Sequence, residues 1–190
     1  MRKETALINI IAAVSLAITS CSEYSPKPRG YLRIEPPEPE YLMALPDSIP
    51  YSFCTSSQVE VRPAGEGGIN LAYPALSAVI YCSYLRLPPA SLHTAVQEAR
   101  RLMHRQIRDA HPRMARYAFD NPERKVYATL YIIEGDSPSP VQFMLTDSAT
   151  RFFRGALYYD CPFKADSLEP VTSYIAGDIM ELIHTFTWKN

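Results

Sequence analysis

A thiol, an aspartate beside a serine, and an arginine among aromatics are the side chains of this sequence whose settings invite chemistry. Cys21 closes the tetrad Ile18-Thr19-Ser20-Cys21, a branched apolar residue and two small ones before a thiol. Such a thiol can carry diacylglycerol, and the small side chains let a peptidase approach the bond that precedes it. The second cluster is Thr146-Asp147-Ser148 with Arg154. Asp next to Ser raises hydrolysis, but there is no Gly-x-Ser-x-Gly elbow, no His-Glu-x-x-His and no Gly-rich phosphate loop. Between two predicted strands, the ordinary role of Asp147 and Ser148 is to bond the amides of a turn. His104 stands among Arg100, Arg101, Arg105 and Arg108 with no carboxylate within one helical turn, which leaves it without a partner for acid–base work. Glycoside hydrolysis needs two facing carboxylates, and Glu134 and Asp136 stay open as one half of such a pair. Cys54, Cys82, Cys161 and the four histidines show no metal-ligand spacing, so neither a metal nor another cofactor is expected. Three cysteines beyond Cys21 leave two readings open: one disulfide with a free thiol, or free cysteines buried as small hydrophobes.

The element that would position Cys21 is the N-terminal apolar run. Arg2 and Lys3 give it a basic start that Glu4 blunts, and Thr5 to Ser20 carries no charge. Its core, Leu7 to Ile18, is shorter than the roughly 20 residues that span hydrocarbon. It reads as the h-region of a signal peptide over residues 1–20, and the tetrad at its end is similar to the bacterial lipobox. The expectation is a cleaved signal, a lipidated Cys21 as first mature residue, and attachment to the membrane through acyl chains. Two or more such chains anchor stably, since each buried methylene is worth about 0.8 kcal/mol. Ser22 lacks the aspartate of inner-membrane retention and Glu23 is the lone nearby acid, which points by analogy to the periplasmic face of the outer membrane.

Residues 21–50 contain Pro26, Pro28, Pro36, Pro37, Pro39, Pro46 and Pro50, the composition of a semi-rigid tether, with a strand candidate at Tyr31–Ile34. Residues 51–190 are expected to form one domain. Tyr51–Cys54 and Gln58–Val61 suit edge strands, Pro63–Gly68 a loop, and the core is expected to begin near Leu76. Ser77–Leu87 reads as a central strand buried on both faces. The period of Leu92, Ala95, Val96, Ala99, Leu102, Met103, Ile107 and Ala110 predicts a helix capped by Ser91, running to about His111 and stopped by Pro112. Its other face carries the five basic residues Arg100, Arg101, His104, Arg105 and Arg108, a solvated stripe or a contact for an acidic partner or lipid headgroups. Lys125–Ile133, Val141–Thr146 and Arg151–Tyr159 are strands whose short connections require antiparallel pairing. A last helix opens at Asp166, with Glu169 as capping partner and Pro170 in its first turn. Leu168, Val171, Ile175, Ile179, Leu182 and Phe186 form its apolar stripe. The fold class is α+β, a mainly antiparallel sheet packed by two long helices, an order that an α-β-α sandwich would satisfy.

Charge narrows the function. Loss of Arg2, Lys3 and Glu4 with the signal leaves 17 basic against 19 acidic residues, a net −2. Nucleic-acid binding runs on clustered cations, so it is excluded as a class. Thirteen tyrosines and seven phenylalanines suit a sheet.

Blocks of residues then carry a resemblance. Pro26-Lys27-Pro28-Arg29-Gly30-Tyr31 and Pro50-Tyr51-Ser52-Phe53 form the first. Gln142-Phe143, Thr146-Asp147-Ser148 and Phe153-Arg154-Gly155-Ala156-Leu157-Tyr158 form the second. Asp166-Ser167-Leu168-Glu169-Pro170-Val171, Tyr174-Ile175, Asp178-Ile179 and Thr185-Phe186-Thr187-Trp188 form the third. In this order they resemble the gliding motility lipoprotein GldD family of Bacteroidetes along the whole mature chain. The resemblance implies a non-enzymatic envelope lipoprotein, an accessory or scaffold of the gliding machinery and of the type IX secretion tied to it, with other machinery proteins as partners. An envelope module that binds a small ligand or glycan is the alternative. Cys54 and Cys82 depart from the residue types expected of relatives, which argues against a family-wide disulfide. Thr146, Asp147, Ser148 and Arg154 are the candidate site, read two ways. Either Arg154 pairs with Asp147 or Asp178 and fixes the hairpin against the last helix, or the hairpin is a docking surface.

Overall fold

Strand residues alternate between two faces, so the apolar alternation of each strand decides what it can cover. The computed structural model describes residues 39–43, 45–108, 111–135, 137–160 and 165–189. The expected signal peptide, Cys21, the strand Tyr31–Ile34, Ala110, Asp136, Cys161 and the side chain of Asp166 lie outside them. Eleven strands and two helices follow in order: β1 (Tyr41–Leu42), β2 (Tyr51–Ser52), β3 (Thr55–Ser56), β4 (Glu60–Ala64), β5 (Gly68–Tyr73), β6 (Ala78–Arg86), α1 (Pro89–Gln106), β7 (Arg113–Asn121), β8 (Val126–Glu134), β9 (Val141–Thr146), β10 (Arg151–Tyr159), α2 (Ala165–Thr185) and β11 (Thr187–Trp188). Seven of them make one sheet in the order β4-β5-β6-β10-β9-β8-β7. Every neighbouring pair in it is antiparallel. The expected mainly antiparallel sheet with two helices is the observed fold.

Cross-strand register sorts the side chains. Leu130 faces Phe143, Phe143 faces Gly155, Gly155 faces Cys82, and Cys82 faces Ile69. These positions share a face, and their apolar members cluster with Val171, Ile175, Ile179 and Leu182 of α2. Residues of the other parity, Tyr131, Ile133, Met144 and Phe152, cluster with Leu92, Ala99 and Met103 of α1. Burying side chains of this size is worth about 1.5–3 kcal/mol each, so the two clusters drive formation of the sheet core.

Several boundaries differ from expectation, each for a physical reason. The core begins before Leu76: Tyr51, Phe53, Ile69 and Leu71 are all buried within it. The expected loop Pro63–Gly68 contains the end of β4 and the start of β5, joined by a turn in which Gly65 and Gly67 take positive φ. β7 falls where no strand was expected, because an edge strand largely exposed on both faces shows no apolar alternation. β6 is buried at its start, but Tyr81 and Leu85 are 48% and 45% exposed, so only its first three residues lie under cover on both faces. Helix α1 begins at Pro89, with Pro88 rather than Ser91 as its cap, since a proline at N1 gives up a donor that has no partner there anyway. It ends at Gln106, five residues short of His111, where Ile107 turns extended. Leu102 is exposed, outside the apolar stripe. Because α2 opens at Ala165, Pro170 lies inside the helix and removes one i→i−4 bond. Cys54 and Cys82 are free thiols, and burial pushes the Cys82 thiol up, away from reactivity.

Candidate functional site

Described parts of the three signature blocks, residues 51–53, 143–155 and 185–188, meet in space. Tyr51 lies 4.6 Å from Phe153 and 5.6 Å from Phe186 between ring centroids, and Phe53 stacks on Phe186 at 5.8 Å. β2 pairs with β11, Ser52 Oγ and Thr187 Oγ1 share a hydrogen bond of 2.7 Å, and the Cys54 amide donates to Thr185 Oγ1 at 2.9 Å. Phe143, Phe153 and Gly155 of the central block complete this seam. A Cβ on Gly155 would stand 2.3 Å from the Phe143 ring, so glycine is required for close approach rather than for backbone freedom. Much of these blocks therefore serves to stitch residues 51–54 and 185–188 together against the sheet.

The β9–β10 turn is held by Asp147. Its Oδ1 accepts the amides of Ala149, Thr150 and Arg151, each at 2.8 Å, while Thr146 Oγ1 accepts the Ser148 amide at 3.0 Å. Ser148 adopts a positive φ of 62°, a conformation that the side-chain bonds around it fix. Burial alone would raise the Asp147 carboxyl; the Arg151, Ala149 and Thr150 amides and the Arg151 charge outweigh it and hold the group below the ordinary range. Arg151 Nε lies 3.9 Å from Asp147 Oδ2, and its guanidinium sits over Trp188 at 5.9 Å. One of the two readings paired Arg154 with Asp147 or Asp178; the ion pair that Asp147 makes is with Arg151.

Asp178 is engaged elsewhere. It is 5% exposed on α2, and its Oδ1 accepts the Tyr41 hydroxyl at 2.9 Å. This bond joins α2 to β1, which pairs with β3. Burial pushes the Asp178 carboxyl up, and the hydroxyls of Tyr41 and Tyr73 offset that only in part. Oδ2 has no hydrogen-bond partner among the described residues. A sequence signal for this clip existed in the Tyr174-Ile175 and Asp178-Ile179 blocks, but nothing there named Tyr41.

Arg154 forms no hydrogen bond or ion pair with another described residue. Its register opposite Ser83 and Met144 turns it to the face away from α2, which is why Asp178 is out of its reach. On that face α1 covers Met144 and Phe152 but leaves Tyr81 and Leu85 open beside Arg154. Tyr158 packs edge-on to Tyr81 at 5.7 Å, and its hydroxyl accepts from Gln106 Nε2 at 3.1 Å. Gln106 Oε1 in turn accepts from the buried Gln142 at 3.2 Å, so the aromatic pair is fixed to the end of α1. Exposed aromatics and a half-buried cation on a rigid sheet form a surface suited to a protein contact. An open groove of about 680 Å³ lies at the other end, lined by His111, Glu134, Ser137, Glu169 and Thr172 among others. Glu134 there pairs with Arg113 at 3.2 Å, and the Tyr159 hydroxyl bonds Thr172 Oγ1 at 2.7 Å. Arg100, Arg101, His104 and Arg105 of α1, and Arg108 beyond it, are all exposed. No group of three or more metal-ligating side chains occurs among the described residues, and no described helix is long and apolar enough to cross a membrane.

No curated protein matches the sequence. A family model matches residues 21–188, from Cys21 through β11: the chain belongs to the family of the gliding motility lipoprotein GldD, lipoproteins involved in gliding motility.

Proposed function

We propose that this chain is a non-enzymatic accessory or scaffold lipoprotein of the gliding machinery and of the type IX secretion coupled to it. In this reading it is held by lipid on Cys21 at the periplasmic face of the outer membrane and docks other machinery proteins. The proposal includes the division into signal (1–20), tether (21–50) and domain (51–190), and an α-β-α sandwich in which opposite strand parities serve α1 and α2. The observation that carries the docking role is the Arg154 face. A family-matching arginine without a hydrogen-bond or ion-pair partner among the described residues stands beside exposed Tyr81 and Leu85, whereas Thr146, Asp147 and Ser148 are occupied in the turn.

The test separates surface from scaffold. Arg154→Ala combined with Tyr81→Ala is expected to leave abundance, anchoring and melting unchanged while gliding and type IX cargo release fail. Asp147→Ala is expected to lower abundance and secretion together. Normal secretion by the Arg154/Tyr81 double variant would refute the docking role of this face. The alternative, an envelope module for a small ligand or glycan, is favoured by the polar groove between the β8–β9 turn and α2. If it holds, Thr172→Trp, which fills the groove, abolishes function and the double variant does not.

A further inference from the structure

The two edges of the sheet are built differently. β4 is five residues long, is interrupted by Pro63, and carries an exposed Glu60–Arg62 pair at 2.6 Å. These are the devices that stop a strand edge from pairing further. β7 is longer and has no proline, although its exposed Arg113–Glu134 pair is of the same kind. It runs for nine residues without a break in its register to β8, and among the described residues β8 is its sole strand partner. Its sequence, Arg113-Met-Ala-Arg-Tyr-Ala-Phe-Asp-Asn121, leaves Met114 37% and Tyr117 47% exposed.

We propose that β7 pairs with β7 of a second copy of this chain, antiparallel and centred on Ala118. The commitment to a second copy comes from the strand's self-complementarity. About that centre Arg116 stands opposite the copy's Asp120, Tyr117 opposite its Phe119, and Ala118 opposite itself, each pair occurring twice or on the axis. Arg116 and Asp120 share one face of β7, and Tyr117 and Phe119 the other, so charge meets charge on one side and ring meets ring on the other. Within one chain Arg116 and Asp120 lie about 13 Å apart along the strand and cannot reach each other. Neither has an ion-pair partner among the described residues, whereas Arg113 is already held by Glu134. The two small alanines at positions 115 and 118 leave the strands free to approach. The result is an isologous contact that joins two seven-stranded sheets edge to edge.

The test uses the full-length lipoprotein in its own membranes. Ala118→Cys places a thiol opposite its copy at a Cα separation of about 4.5–5.5 Å, within disulfide reach. Mild oxidation is expected to yield a species of twice the monomer mass. Met114→Cys, on the same face but about 27 Å from its copy in this register, is expected to give none, as is the parent chain with its native cysteines. In the Ala118→Cys background, Arg116→Asp or Asp120→Arg alone should cut dimer yield about threefold or more, and the two together should restore it. Equal crosslinking at positions 114 and 118 would overturn the proposal. So would an adduct of another mass in place of the dimer, or single reversals without effect, or a double reversal without rescue.

Discussion

Two aspartates from the family-like blocks show how one residue type takes opposite electrostatic roles. Asp147 is stabilised as an anion by the amides of its own turn, so its carboxyl is held down and its stabilising contribution is fully present above the unfolded value of about 3.9. That contribution is lost as pH falls through the lower folded value. Asp147→Ala removes the acceptor of several charge-assisted bonds and is expected to cost about 1.5–3 kcal/mol, read as a lower denaturant midpoint at neutral pH. The cost should shrink as acid protonates the wild-type carboxyl. Asp178 runs the other way. Its raised folded pKa means that the protonated form is preferred, so its contribution is present below about 3.9 and lost as pH rises through the folded value. Asp178→Asn keeps an acceptor for Tyr41 and supplies no charge to bury. Its Tm is expected to equal or exceed wild type at pH 7, with the gap closing on acidification; a variant that melts lower at pH 7 would contradict this account. The turn role of Asp147 was legible in the sequence because Asp-Ser between two strands is local chemistry. The face that Arg154 takes and the partner of Asp178 were not legible, because strand parity and the position of α2 decide them.

At the scale of elements, β8, β9 and β10 were readable because they are rich in apolar residues that both helices cover, one parity each, and α2 because its apolar stripe keeps helical period. β5 escaped because Gly68-Ile-Asn-Leu-Ala-Tyr73 is short and lies within a Gly-rich stretch. β7 escaped because its side chains carry almost no burial signal. α1 was readable in its stripe but not at its ends, where a Pro-Pro start replaced the expected serine cap. The close approach of β9 to β10 is a feature of packing that the sequence marks only as a glycine. Gly155→Ala drives a methyl into the Phe143 ring and is expected to cost about 1–3 kcal/mol, seen as a fall in Tm of several degrees. The clash is with a single ring, so Phe143→Leu should recover part of the loss in the double variant even though it is destabilising alone. Losses that simply add would place the strain in the backbone instead.

At the scale of the whole molecule, what fixes the protein to the envelope and what the domain does there are separable. The described domain buries its apolar clusters internally, with its helices packed on the sheet, and in the proposed reading membrane attachment falls to the lipid on Cys21. The family match beginning at Cys21 supports the proposal of that residue as the lipid carrier, with the apolar run ahead of it as the proposed export signal. An acyl chain contributes about 0.8 kcal/mol per buried methylene, so losing two or more chains removes a binding energy that a near-neutral surface cannot replace. Cys21→Ala is therefore expected to abolish incorporation of labelled palmitate and to move the protein from the membrane to the soluble fraction, with its melting behaviour unaltered. Because Cys54 and Cys82 are free but remain within the folded domain, a second site of acylation would show as labelling that survives Cys21→Ala. Labelling that survives, or a chain that stays on the membrane without label, would move the anchor away from Cys21, the latter by showing that protein contacts alone retain it.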